Sequence, residues 1–424
     1  MTSKIIVNNI EADAGISTVT FNSKVASSEF VGNVTGNVTG NATGLSGSPT
    51  LTGITSISTT NLTVNGNRYP SAGPLSNRNL VMNGSMEVIQ RGSAAVTTDG
   101  SYPCDRWIQN VTTSGAVSVQ RVTDVTPNGF TAGIACTVTT ADATTDASDS
   151  WRFQQHIEGN NVDHLQFGTA NALPVTVSFW ARSSETGTFC MVLLGSSDGS
   201  TPDRSYVSEY TIQSSNTWEY KTITVPGDTG GTWHTGTGKG LTVRFGLTAG
   251  SDVQQAAGSW GNTNAVGSSN QTQLLETVNA TFYISGVQVE AGNVATPFEY
   301  RPRAYEIQLC QRYYCQSYNI SVAPGSTVYQ GAIHCRNDQA TAMTTHFTNT
   351  RFPVVMRANP TVTLYSPENG VADRVSDWNQ GGSHVNNGTV SSVTHVGSQG
   401  FGRISLSAAE GPTIIFHYTA NAEL

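Results

Sequence analysis

The sequence predicts an all-β chain: a short repetitive β-shaft, a central jelly-roll β-sandwich, a short helical neck and a C-terminal β domain, assembled as a homotrimer. Three observations predict it. Charged residues make up only 12% of the 424 residues while glycines number 43, against about 25% charged residues in an ordinary domain. Glu, Lys and Leu, which long solvated helices need, are scarce beside Thr, Ser, Asn and Val. Residues 32–44 read GNVTGNVTGNATG, a four-residue repeat that matches no helical period. From residue 76 onward, short alternating segments recur between Gly-rich turns, the pattern of many short strands.

The repeat places Gly32, Val34, Gly36, Val38, Gly40 and Ala42 on one face of an extended strand, with Asn and Thr on the other. A lone strand cannot bury the small apolar face. Alternate glycines leave so little side-chain volume that a partner must approach closely. Identical chains meeting at Val34, Gly36, Val38 and Gly40 on a threefold axis satisfy both needs, and a single-chain β-solenoid is the alternative. The Asn-Val-Thr triplets also match glycosylation sequons, but one every four residues is too crowded for all to be modified. Lys4–Val25 and Leu51–Val64 alternate as strands on either side. The breaker cluster NGNRYPSAGP at 65–74 closes this part, so residues 1–75 form the first unit.

Residues 76–300 read as one large β domain. Its strands are expected at Val117–Val122, Ile134–Val138, Val175–Trp180, Phe189–Leu194, Tyr206–Ile212, Tyr220–Val225, Leu241–Leu247 and Thr281–Val289. Turns such as PNG at 127–129 and PGDTGG at 226–231 separate them. RAYEIQLCQRYYCQSY is the one helix-like stretch and forms the neck, 301–318. Tyr305, Leu309, Arg312, Tyr313 and Gln316 share its face. Strand signals at Ser326–His334, Met343–Phe347, Thr361–Tyr365, Gly402–Leu406 and Thr413–Tyr418 place a second β domain over 319–424.

The charge, 21 − 29 = −8, and the lack of a basic stripe argue against nucleic acid as a partner. No apolar run reaches the ~18 residues of a membrane-spanning helix, so no membrane insertion is expected. The start, MTSKIIVNNI, has no secretory pattern. Cys104, Cys136, Cys190, Cys310, Cys315 and Cys335 form no CxxC pair. They read as buried free thiols of a chain folded in a reducing cytoplasm.

Three stretches carry a resemblance. They are NLVMNGSMEVIQRG at 79–92 with Asp105-Arg106-Trp107, VSFWARS at 177–183 leading to WEYKTITVP at 218–226 and Gly230–Trp233, and FYISGVQVEAGNVATPFEY at 282–300 with CQRYY at 310–314. These resemble the first, middle and last strands of a carbohydrate-binding-module-like jelly roll in phage tail-fibre proteins. The N-terminal SKIIVNNI, TVTF and GNVT repeats look like fibres of tailed phages of cyanobacteria and marine bacteria, and Phe352–Val362 has the look of fibre tips. The resemblance covers roughly residues 1–45 and 76–315. It implies a trimeric virion protein attached to the phage tail or baseplate through its N-terminus, with distal modules that recognise a host surface polysaccharide or receptor. Such modules also serve as spacers in fibres, so a structural or decoration role is the alternative.

Sugar binding needs exposed aromatic faces beside amide, carboxylate or guanidinium groups. Trp378, flanked by Asp377, Asn379 and Gln380 in a loop-like segment, is the leading candidate. Trp151, Trp233 and Trp260 sit in polar or Gly-rich surroundings and follow it. Trp107 and Trp180 read as core aromatics. Glu87 and Glu290, on the expected first and last strands, are the candidate ligands of a structural calcium, which the jelly-roll resemblance brings to mind; no dense acidic motif accompanies them and no other cofactor is expected. A polysaccharide depolymerase is the remaining alternative. It needs paired carboxylates, and Glu158, Asp163, Glu209 and Asp252 are not paired by any motif; no catalytic residue is therefore assigned. The shaft reading predicts a trimeric mass for the full chain in light scattering. A monomer at micromolar concentration would contradict it.

Overall fold

The computed structural model describes residues 63–64, 67–68, 74, 76–336, 343–378, 384–411 and 413–424. All belong to one compact unit, Thr59–Leu424. The shaft residues Val34, Gly36, Val38 and Gly40 and the candidate Asn379 lie outside the described residues.

The chain is all-β. After a two-strand ladder, β1 (Thr63–Val64) and β2 (Asn67–Arg68), come β3 (Ser101–Cys104), β4 (Trp107–Thr112), β5 (Ala116–Val122), β6 (Gly133–Thr140) and β7 (Ser150–Glu158). Then follow β8 (Val175–Ser183), β9 (Gly187–Gly195), β10 (Arg204–Ile212), β11 (Glu219–Val225), β12 (Lys239–Ala249), β13 (Trp260–Gly261) and β14 (Thr281–Ala291). They form two antiparallel sheets, a seven-stranded one ordered β13-β10-β9-β12-β7-β4-β3 and a five-stranded one ordered β11-β8-β14-β6-β5. The result is a jelly-roll-like sandwich. Its core lies between the sheets because alternate residues of each strand are apolar: Val175, Val177, Phe179 and Ala181 from β8 face Leu241, Val243, Phe245 and Leu247 from β12. Trp107 stacks on Phe153 at 5.0 Å and Phe179 meets Phe245 edge-on at 4.9 Å. Each such fully buried side chain contributes about 1.5–3 kcal/mol.

Residues 79–92, expected to hold the first strand, form no regular element. Side chains pin this segment instead. Asn83 donates to the carbonyls of Val88 and Asp105 and accepts from Val88 N–H, and Asn79 bridges Val287 and Val289. Polar side chains here supply the hydrogen bonds that a strand ladder otherwise would.

The helix α1 (Arg303–Gln311) is shorter than the neck the sequence suggested. Tyr314–Gln316 forms β15, which pairs with β22 (Thr413–Asn421). The helix is capped by Arg312, whose backbone is still helical, and Glu158 of β7 holds the side chains at this end: Arg312 Nε and Nη2 bond its carboxylate at 2.8 Å each and Tyr313 donates at 2.6 Å. The proposed common face of Tyr305 through Gln316 is therefore broken.

The C-terminal part adds β16 (Ile333–Arg336), β17 (Met343–Arg351), β18 (Thr361–Tyr365), β19 (Arg374–Trp378), β20 (His384–Thr394) and β21 (Gly400–Glu410). All belong to a half-barrel in which β22 pairs with β15, β16, β18 and β19. It has its own core, including Leu364, Ile404, Ile414 and Phe416. No helix among the described residues is long and apolar enough to cross a membrane. All six cysteines are free and buried.

A buried ion cluster joins the two cores. Glu423, just past β22, pairs with Arg106 and with Arg91 at 3.0 Å, and Arg91 lies 3.7 Å from Asp105. Arg106 stacks on Tyr313 at 3.4 Å, and Arg91 packs on Tyr314 and Tyr102. Burial works against the charge on both guanidiniums, but Glu423 together with Asp105 and Tyr314 at Arg91, and with Tyr313 and Tyr102 at Arg106, outweighs it and holds both above their ordinary range. Burial raises the Asp105 carboxyl, against the pull of Arg91 and the Gln90 bonds. Removing one member of such a cluster strands the others without a partner. Glu423→Ala is expected to lower unfolding free energy by about 3–5 kcal/mol in urea denaturation. The exposed Glu368→Ala should change it by no more than ~0.5 kcal/mol. Equal, small losses in both would contradict the role given to Glu423.

Candidate functional site

The sandwich turns two outer faces to its surroundings. On the five-stranded sheet, core-facing residues of β8 alternate with Thr176, Ser178, Trp180 and Arg182, and those of β11 with Tyr220, Thr222 and Thr224. Trp180 and Tyr220 stand directly opposite in the β8–β11 register, with rings 5.3 Å apart and tilted by 49°. Trp180 is thus an outer-face residue, half-buried beside a neighbour that is 47% exposed. This corrects its assignment to the core. Val177 and Phe179, its neighbours in the strand, are the core side chains there.

Next to this pair, β14 slips register between Ser285 and Gln288. Gly286 sits in that bulge at φ +62°, and a Cβ there would lie 2.5 Å from the Phe130 ring. Only glycine allows both the backbone turn and the close approach of the ring. Phe130 packs on Phe298 at 5.1 Å and on Tyr300 at 5.6 Å, and Phe298 meets Tyr300 edge-on at 4.9 Å. The Tyr300 hydroxyl donates to the Gly129 carbonyl at 2.7 Å, and the ring is 58% exposed. Burial, with Glu87 nearby, raises the Tyr300 phenol, so it stays protonated at neutral pH.

Between the Trp180–Tyr220 pair and the Phe130–Phe298–Tyr300 cluster runs a groove of about 510 Å³. Its polar lining comes from Ser178, Thr222 and Thr296, and no charged side chain lines it. Aromatic faces on two sides and hydroxyls between suit a neutral ligand with apolar faces and many hydroxyl groups.

The residues singled out in the sequence lie elsewhere. Trp151 is 0% exposed and belongs to the sandwich core, so it is corrected from surface candidate to core residue. Its outward neighbour in β7 is Arg152. Trp233 and Trp260 do come together, rings 5.5 Å apart, but both pack on Phe167 as half-buried anchors. Their indole N–H groups are used within the fold, on Asp228 and the Pro226 carbonyl. Trp378 and Asp377 end strand β19 rather than lying in a loop, and Asp377 accepts the Gly411 N–H at 3.0 Å.

The calcium candidates are also separate in role. Glu290 is buried and its oxygens take the Thr296 N–H and hydroxyl and the Gln288 amide. Glu87 accepts from Thr131. Among the described residues no three His, Cys, Asp or Glu side chains are grouped to hold a metal. Two other concavities are a polar one of about 420 Å³ lined by Asn349, Arg351, His395 and Gln399, and one of about 290 Å³ beside α1. Neither has facing aromatic walls.

No protein-family model matches the chain, and no curated protein does. Among solved structures it is similar to the enzymatically active domain of tailspike protein 4 of bacteriophage CBA120, with 14% identity and a TM-score of 0.29; the match covers 50% of this chain and only 21% of that one. It is similar to a family 11 carbohydrate-binding module of a Clostridium thermocellum cellulosomal cellulase, with 13% identity, a TM-score of 0.26 and coverage of 48% and 98%. A third is TmCBM61 in complex with beta-1,4-galactotriose, with 14% identity, a TM-score of 0.25 and coverage of 51% and 99%.

Proposed function

We propose that this chain is a phage tail-fibre protein whose jelly-roll-like sandwich binds a neutral glycan on the host surface in the groove between Trp180–Tyr220 and Phe130–Phe298–Tyr300. The observation that carries this reading is the groove itself: exposed rings on facing walls over a hydroxyl-bearing floor. The C–H face of a pyranose stacks on such rings, and the floor orients its hydroxyls. The fibre role is supported by the resemblance of the GNVT repeats and of the 79–92, 177–183 and 282–300 stretches to fibre proteins. In a trimer, three weak sites on one stalk raise apparent affinity without any new contact.

The groove is proposed to bind without cleaving. Glycosidic hydrolysis uses two carboxylates, and the groove is lined by none.

Binding of the purified chain to host cells and to extracted host polysaccharide tests this. Trp180→Ala and Tyr220→Ala should each weaken binding by about 1.4 kcal/mol, roughly tenfold, with the thermal midpoint little changed because both rings lie outside the core. Trp233→Ala should lower stability instead, since its ring packs over Gly195. A Trp180→Ala/Tyr220→Ala double variant that binds like the parent chain would overturn the proposal. Release of reducing ends from the polysaccharide would overturn its non-catalytic part.

A further inference from the structure

The outer face of the seven-stranded sheet, on the opposite side of the sandwich, holds a different kind of group. Residues of β7 that point away from the core are Arg152, Gln154 and His156. On β12 they are Thr242 and Arg244. Arg244 stands opposite Gln154, and Arg152 opposite Gly246, so the two guanidiniums are diagonal neighbours across adjacent strands.

Arg244 is only 2% exposed. Its Nε donates to Gln154 Oε1 at 2.6 Å, and its Nη1 to Asn264 Oδ1 at 2.9 Å and to the Ala265 carbonyl at 2.6 Å. All three acceptors are neutral. Arg152 is half-buried; its Nη1 donates to Ser150 Oγ at 2.9 Å and its Nε is buried with no partner. Among the described residues, neither arginine forms an ion pair.

Three carboxylates of this sheet and its loops have hydrogen bonds of their own. Asp99 lies near Arg152 but accepts from Asn110 Nδ2 at 3.0 Å and Val111 N–H at 2.9 Å. Glu158 is held by Arg312 and Tyr313, and Glu209 by Ser268 and Asn270. His156 shares a 2.7 Å hydrogen bond with Thr242. Burial, and then the nearby Lys239, Arg244, Arg106 and Arg152, keep its imidazole neutral. Burial and then Arg152 likewise press against the charge on Arg244. In a chain of net charge −8, Arg244 is buried with no carboxylate acting on it, and the adjacent, half-buried Arg152 has only Asp99 nearby. That is costly unless an anion completes the site.

We infer that Arg152 and Arg244 form an oxyanion site for an acidic polysaccharide, taking a carboxylate or sulfate group on the sheet face opposite the neutral-glycan groove. With Arg244 Nε and Nη1 and Arg152 Nη1 used within the fold, a bound oxyanion would take its charge-assisted bonds from the remaining Nη2 group of each guanidinium. Arg244 is fixed by Gln154, Asn264 and Ala265, while Arg152, reached by solvent, supplies free donors beside it. Gln154 extends the network to Asn110 at 3.0 Å, an amide able to bond adjacent sugar hydroxyls.

Affinity electrophoresis of the full chain in gels containing polygalacturonate, dextran sulfate or neutral dextran tests the site. Retardation by polygalacturonate alone identifies a carboxylate, by dextran sulfate alone a sulfate ester, and by both the shared oxyanion chemistry; each supports the inference, with dextran inert. Arg152→Gln should weaken retardation at least tenfold with an unchanged thermal midpoint. It is preferred to Arg244 variants, which risk misfolding. The Trp180→Ala/Tyr220→Ala variant should be retarded like the parent chain, so failure of the neutral groove and failure of this site are read separately. No retardation by either polyanion, or equal retardation of the Arg152→Gln and parent chains, would overturn the inference. So would equal retardation by single-stranded DNA, which means non-specific attraction. A fall in oligomer mass on Arg152→Gln without loss of retardation would also overturn it, since the counter-charge is then a neighbouring subunit's carboxylate.

Discussion

The described fold depends on the contact between Glu423 and the two guanidiniums of Arg91 and Arg106. The sandwich and the half-barrel have separate cores, and neither core alone fixes how they meet. The carboxylate at the end of the chain does so by reaching back to a segment more than 300 residues earlier. Glu158, Arg312 and Tyr313 make a second such link a short distance away, and Arg357 adds bonds to the Ala422, Glu423 and Thr237 carbonyls. Charged groups buried in this way tolerate few alternative arrangements, because each shift leaves an unpaired ion. The short helix ends at this second link, and β15 follows it directly.

With that junction fixed, the two outer faces of the sandwich carry different kinds of side chain. The five-stranded sheet carries neutral aromatics around a bulge. The seven-stranded sheet carries two arginines bonded to neutral acceptors. The same period-two alternation builds both, since every second residue must leave the core. What differs is which side chains occupy those outward positions.

Much of the sandwich was legible in the sequence because its strands alternate cleanly. Val175–Ser183 and Leu241–Leu247 show core and outer residues in strict order. The strand β7, SWRFQQHIE, was not legible. It is buried on both faces, one apolar and one polar, so polar residues appear where alternation leads one to expect exposure. The segment at 79–92 misled in the opposite sense: apolar residues suggested a strand, while Asn79 and Asn83 supply its hydrogen bonds from side chains. β19 read as a loop because Asp, Trp, Asn and Gly follow one another. The groove escaped notice for a related reason. Trp180 ends an apolar run, and only cross-strand register places it beside Tyr220. Gly286, the residue that lets Phe130 approach, is one glycine among 43. The signal available was SFWARS itself, where Trp180 falls out of phase with Val177 and Phe179. Tyr300 and Phe298, in a segment noted only for resemblance, are separated from Trp180 by more than 100 residues, a distance that no local pattern spans.

The most direct test of the account is hydroxyl-radical footprinting of the intact chain with and without host polysaccharide. Trp180, Tyr220 and Tyr300 should be oxidised in the free protein and protected together when the glycan is bound, while Trp107 and Trp151 stay unmodified in both states. Protection confined to other aromatics, such as Trp378 or Tyr329, or no protection of the Trp180 group under saturating glycan, would contradict the account.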